Sequence, residues 1–132
     1  MNKIKVSFDF DGTLSRADVQ DYASTLIAKG VEVWICTARL SNAEAPSTRW
    51  NDDLFAISDS LGIQRSHIIF CSMSAKYRFL KNGCFAFHLD DDMTETKMIN
   101  RYTETYGINV FGNKYWVNDC NKALATYVVK NI

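Results

Sequence analysis

Three short stretches of this chain collect the residue types that handle phosphate or a hard cation. Asp9-Phe10-Asp11-Gly12-Thr13, Thr37-Ala38-Arg39 and Asp90-Asp91-Asp92 each follow an apolar run. Residues two apart in a strand point the same way, so the carboxylates of Asp9 and Asp11 can reach one pocket. Gly12 lets the chain turn at once and brings backbone N–H groups close to an anion. On their own, two such acids are readily explained as turn formers or helix caps. Three adjacent acids behind Cys84-Phe85-Ala86-Phe87-His88-Leu89 are costly unless something positive offsets them. A divalent cation such as Mg2+, which takes oxygen ligands, would do so. Asp92 has a simpler role open to it, as the cap of a helix starting at Thr94. If the strands that precede Asp9 and Asp90 are neighbours, the two acidic ends converge.

A Thr37 hydroxyl at a strand end can donate to a phosphoryl oxygen, and an ammonium can neutralise charge on it. Lys76 and Lys81 bracket a short predicted helix. Lys76 is preferred, because a helix start faces the edge where the strands end. Arg39 can hold a phosphate bidentately, or pair with Glu44 or Asp53. His67 and His88 read as structural groups, with a role in tuning the site left open to either.

The elements that must position these residues alternate between apolar runs and helical patterns, as in a parallel sheet with crossover helices. Strands are expected at 4–10, 31–36, 67–71, 84–89 and 108–111. Helices are expected at 17–29, 49–61, 75–81 and 94–106, with a final strand or loop and a terminal helix behind them. In the helix at 49–61, Trp50, Leu54, Ile57 and Leu61 share a face, so Trp50 is expected in the core. Segment 41–48, with the lone Pro46, reads as a loop.

The 132 residues suit one domain spanning 1–132, and the 47% hydrophobic content can fill a core. Lys plus Arg and Asp plus Glu number 15 each, which argues against a long nucleic-acid footprint while allowing a local basic pocket. The four cysteines form no CxxC pair and no zinc-spaced cluster, and three lie in or beside apolar runs; free core thiols in a reducing compartment are expected. The apolar stretch at the N-terminus stops at Asp9, too short for a secretory leader, and no run reaches membrane-spanning length. A cytoplasmic location is expected. No GxxxxGK[ST] motif occurs, so a simple P-loop kinase is excluded.

The ordered set Asp9-x-Asp11-Gly12-Thr13, Thr37, Lys76 and Asp90-Asp91 resembles the haloacid dehalogenase superfamily, from about Lys3 to Phe111. The stretch with Thr37-Ala38-Arg39, a polar loop, Arg49 and Trp50 looks most like the phosphatase domain of phage polynucleotide kinases. The resemblance implies a three-layer, Rossmann-like α/β fold with a mostly parallel sheet. It implies a Mg2+-dependent phosphomonoesterase in which Asp9 is the nucleophile and Asp11 the general acid and base. Magnesium would be held by the Asp9 carboxylate, the Asp11 carbonyl and Asp91, with Asp90 in support or the two reversed. Thr37 and Lys76 would bind the transferring phosphoryl group. The second acid of the first motif disfavours a dehalogenase. The order of the motifs disfavours a response-regulator receiver.

Family members usually carry a flap after the first motif and often a cap domain; here neither insertion has room. An open site suits a large substrate, or closure by another subunit of a homo-oligomer. Two substrate classes compete: a nucleotide or nucleic-acid 3′-phosphate, with Trp50 or Phe55 stacking on a base, and a general small phosphomonoester. A protein that keeps this fold for binding or assembly without turnover is the reading of a different class.

Overall fold

The computed structural model describes residues 3–131. Five strands, β1 (Lys5–Phe8), β2 (Glu32–Thr37), β3 (Ile68–Phe70), β4 (Phe85–Asp90) and β5 (Tyr106–Asn109), form one sheet in the order β3-β2-β1-β4-β5. Every pairing is parallel, where a mostly parallel sheet was expected. The helices are α1 (Ala17–Ala28), α2 (Asp52–Leu61), α3 (Tyr77–Leu80), α4 (Met93–Tyr102) and α5 (Trp116–Lys130). They lie on both faces, giving a three-layer, Rossmann-like α/β architecture.

Each face has its own core. Against α1, α2 and α5 lie Val6, Phe8, Ile35, Phe87 and Leu89, and the rings of Phe8 and Phe87 meet edge-on at 5.7 Å. Under α3 and α4 lie Cys36, Cys71, Leu80, Phe85 and Ile99. Strand alternation therefore sends Val6 and Phe8 to the first face and Ser7 and Asp9 to the second. All six residues of β4 are buried, as expected of a strand flanked on both sides and covered on both faces. Burying a side chain such as Phe8 or Phe87 contributes about 1.5–3 kcal/mol.

The connections from β1 and β4 leave in opposite directions, β1 through α1 to β2 and β4 through α4 to β5. Their carboxyl ends therefore flank the crevice where the strand order reverses, the place where open parallel sheets bind ligands.

Several boundaries differ from expectation. The helix expected from Arg49 starts at Asp52. The buried Asn51 side chain donates to the Leu40 carbonyl oxygen and to Asn42 Oδ1, at 3.0 and 2.9 Å, and this tether sets the start. Trp50 consequently falls in a turn and is 47% exposed, not in the core. The helix expected to run to Tyr106 stops at Tyr102, where the Thr103 hydroxyl donates to the Ile99 carbonyl oxygen and accepts from the Thr105 N–H. Gly107 is no helix terminator but part of β5, which begins two residues earlier than expected. A Cβ there would lie 2.5 Å from the Thr96 carbonyl oxygen, so glycine is what lets α4 and β5 approach.

Three further elements shift. Segment 65–67 is a 3-10 turn before β3, and α3 is a single turn at 77–80. No sixth strand follows β5 among the described residues, only a turn and α5. Cys36, Cys71 and Cys120 are buried, whereas Cys84 lies outside β4 and is exposed. α1 starts three residues after the Phe10–Leu14 turn, leaving no room for a flap, and turns and bends join β2 to α2 with no inserted domain. Among the described residues no helix is long and apolar enough to cross a membrane.

Candidate active site

The site grows from the carboxyl end of β1. The Asp9 N–H donates to the Leu89 carbonyl oxygen at 2.8 Å, carrying the β1–β4 ladder one residue past the strand. The chain then turns through Phe10–Leu14, with Gly12 at φ 74°. A Cβ on Gly12 would overlap the Asp91 carboxylate, so this position needs glycine both for its backbone angle and for space. The two acidic ends thus touch across the turn.

Ligand-capable oxygens of Asp9, Asp90 and Asp91 all lie within 4.8 Å of one another. Lys76, just ahead of α3, brings its Nζ between them, 2.8 Å from Asp9 Oδ1 and 2.6 Å from Asp90 Oδ2. Lys81 instead follows α3 at its other end and is exposed. The Lys76 backbone N–H donates to Glu95 of α4 at 3.0 Å, which fixes where the lysine enters. The Thr13 hydroxyl donates to Asp9 Oδ2 at 3.1 Å.

Beneath these groups runs a buried polar chain. Ser7 and His88 are opposite each other in the β1–β4 register. The Ser7 Oγ lies 2.9 Å from His88 Nδ1, and His88 Nε2 lies 2.7 Å from Asp90 Oδ2. A neutral imidazole with its proton on Nε2 satisfies both contacts, accepting from the Ser7 hydroxyl and donating to the carboxylate. Burial lowers the His88 pKa, consistent with the neutral form. Asp90 Oδ1 accepts from the Asp92 N–H at 3.0 Å, so both Asp90 oxygens are engaged. Asp92 caps α4, accepting from the N–H groups of Thr94 and Glu95.

The electrostatics follow from one ammonium facing two buried carboxylates. Burial works against ionised Asp90, but the His88 N–H and the Lys76 charge hold its pKa well below the usual range. Burial also disfavours the Lys76 ammonium, and the charges of Asp9 and Asp90 more than offset it. Asp9 is pushed up to about 8 by burial and then by the Asp90 charge, against the pull of Lys76. With Asp91 alongside, three carboxylates converge on one ammonium. Oxygen-only donors, that excess of carboxylates and the close approach over Gly12 fit a hard divalent cation.

Asp11, Thr37 and Arg39 form the rim. Thr37 is buried at the end of β2, and its hydroxyl accepts from the Arg39 N–H at 3.2 Å. The Arg39 guanidinium grips Asp11 with Nε and Nη2 at 2.9 and 2.7 Å. It grips Asp53, in the first turn of α2, with Nη1 and Nη2 at 2.7 and 3.0 Å. Its last N–H points at Asn51 Oδ1 at 3.5 Å. The residue expected to hold phosphate is thus engaged by two carboxylates. Beside it opens a cleft of about 470 Å³, lined by Asp11, Arg39 and Asp53 and by the apolar Leu40, Trp50 and Met73.

Asp9, Asp90, Asp91 and Lys76 therefore converge, while Asp11 and Arg39 pair at the edge. The residue pattern assigns no role at the site to Thr13 or Ser7 and leaves His88 only a tuning one. Alternation carried the signal, since Ser7 stands two before Asp9 and His88 two before Asp90.

No family model matches this chain, and no curated protein does. Among solved structures it is similar to a hypothetical protein from Xanthomonas campestris, with a TM-score of 0.54 and 14% identity over 96% of this chain and 84% of that one. At that identity the likeness shows an α/β fold shared over nearly the whole chain.

Proposed function

We infer that this chain is a Mg2+-dependent phosphomonoesterase of the haloacid dehalogenase type that works through an aspartyl-phosphate on Asp9. The carrying observation is the buried Lys76 ammonium between Asp9 and Asp90, with Asp91 beside them, at the reversal point of the sheet. Structural ion pairs occur elsewhere in proteins, but three converging acids and one buried lysine at that edge are the parts a phosphoryl-transfer site needs.

Asp9, Asp91 and the Asp11 carbonyl would hold the ion, which supplies positive charge next to the transferring phosphoryl oxygens. Asp91 suits this role because it is exposed, whereas Asp90 is buried and spends both oxygens on Lys76, His88 and the Asp92 N–H. An Asp9 oxygen attacks phosphorus as the bond to the leaving oxygen breaks; Asp11, protonated and turned away from Arg39, which Asp53 keeps paired, gives that oxygen its proton. Asp11 then takes a proton from water as the water oxygen attacks phosphorus, freeing Asp9 and inorganic phosphate. Lys76 and the Thr37 hydroxyl stabilise charge on the phosphoryl group through the transfer.

The test is phosphate release from p-nitrophenyl phosphate with and without Mg2+. Release that needs the ion, and that disappears in a folded Asp9→Asn protein, is expected. No release under either condition would favour a binding or assembly protein with this fold. Substantial turnover by folded Asp9→Asn would remove Asp9 as nucleophile.

A further inference from the structure

The cleft beside Asp11 has features that nucleophile, lysine and cation do not use. Its apolar wall is displayed outward: Trp50 is 47% exposed and Met73 is 78% exposed. Met73 stands there at some conformational cost, because it and Ser72 are consecutive non-glycine residues with positive φ, 67° and 49°. The loop is held in that shape from three sides. The Met73 N–H donates to the Ala38 carbonyl oxygen at 2.8 Å and the Ser72 N–H to the Arg39 carbonyl oxygen at 3.2 Å. The Ser72 hydroxyl donates to Glu44 at 2.8 Å. Trp50 is likewise kept out of the core by the Asn51 tether.

Among the described residues that line the cleft, the polar wall offers no free cation. Arg39 points every N–H at Asp11, Asp53 or Asn51, and the three charged groups together carry one net negative charge. A second phosphate or a carboxylate on the substrate would find no unpaired positive group among the described lining residues. Asp11, as the group that protonates the leaving oxygen, is itself part of the cleft wall, so what departs from phosphorus must lie in the cleft.

The geometry points to this cleft as a leaving-group subsite for a flat, uncharged aromatic ring, held between Trp50 and Met73. The inference rests on the phosphatase reading and names its substrate class: phosphomonoesters of ring-bearing alcohols or phenols, in preference to aliphatic or further ionised ones. Indole stacks on such rings, and the thioether sulfur makes favourable contacts with them. Two sources share this chemistry, a nucleoside monophosphate and a simple aryl phosphate.

The experiment compares kcat/KM with Mg2+ for adenosine 5′-monophosphate, phenyl phosphate and glycerol phosphate. A preference for the ring-bearing esters over glycerol phosphate is expected. Trp50→Ala should cut that preference about tenfold, the order expected for loss of one stacked ring. Met73→Ala should cut it in the same direction. If only adenosine monophosphate is favoured, the ring is a nucleobase; if phenyl phosphate is favoured equally, the ring sits next to the ester oxygen. Hydrolysis of all three at similar rates, or a preference that survives Trp50→Ala, overturns the subsite and leaves the phosphatase reading standing. If none is hydrolysed, the phosphatase reading fails. The cleft is then judged by binding to Asp9→Asn protein, where adenosine monophosphate must raise the melting temperature more than ribose 5-phosphate does, and equal shifts overturn it.

Discussion

Asp9 is the residue on which the chemistry converges, and its protonation is where the site can be read most directly. Without a cation it shares one ammonium with Asp90, and its pKa rises to about 8. A carboxyl that titrates higher in the folded state than in the unfolded state holds its proton better when folded. Its contribution to stability is full below about pH 4 and is lost as pH rises toward 8. Asparagine cannot titrate. In chelator-treated protein, Asp9→Asn should therefore gain stability relative to wild type between pH 5 and pH 8, by up to a few kcal/mol. Urea midpoints at the two pH values measure this, and a difference that stays flat with pH would contradict the assignment of the shift to Asp9. His88 is the other residue out of the ordinary, a fully buried imidazole with a partner on each nitrogen. Such a group is costly to bury unless both contacts are made.

The β4–α4 junction divides three consecutive acids among three tasks. Asp90 is still in the strand and turns inward to Lys76; Asp91 faces the Gly12 turn; Asp92 starts the helix as its cap. The division follows from the change of period, since a strand reverses direction at each residue and a helix start does not. Asp92→Ala should cost about 1 kcal/mol through loss of the cap while barely changing the Mg2+ needed for half-maximal activity. Asp91→Ala should raise that requirement by an order of magnitude or more, with little effect on the unfolding midpoint of chelated protein. Magnesium titrations of activity on the two variants decide the matter, and equal requirements would mean the roles in the triplet are assigned wrongly. The start of α2 shows another junction at work, where a tethered Asn51 swings Trp50 out of the helix and into the cleft.

The molecule as a whole holds two cores separated by one parallel sheet, with the polar site at its carboxyl edge. A cation that binds only the folded chain must stabilise it by mass action, about 2.7 kcal/mol at a hundredfold excess over its Kd. For a domain of this size that is a rise of several degrees in melting temperature. Scanning calorimetry with Mg2+ and with chelator tests it. The rise should be smaller in Asp91→Ala, and its absence in wild type would speak against a folded-state cation site.

The parallel sheet with crossover helices and both acidic strand ends are readable in the chain itself, while the three-layer arrangement is what the family resemblance implies. Apolar runs, helical spacing and the residues that follow each run are local properties, and local physics shapes them. The place of Lys76 at a helix start likewise favours it over Lys81 from sequence alone. Local pattern could not supply the partners across space. The Ser7–His88–Asp90 chain needs the β1–β4 register, and the engagement of Arg39 by both Asp11 and Asp53 joins three segments far apart in sequence. Trp50 illustrates the same limit. Its spacing placed it on a buried helical face, and only the Asn51 tether to the 40–42 loop, a tertiary contact, left it exposed. Periodicity reports which face of an element is apolar; where the element begins, and what its edge residues meet, is decided by packing.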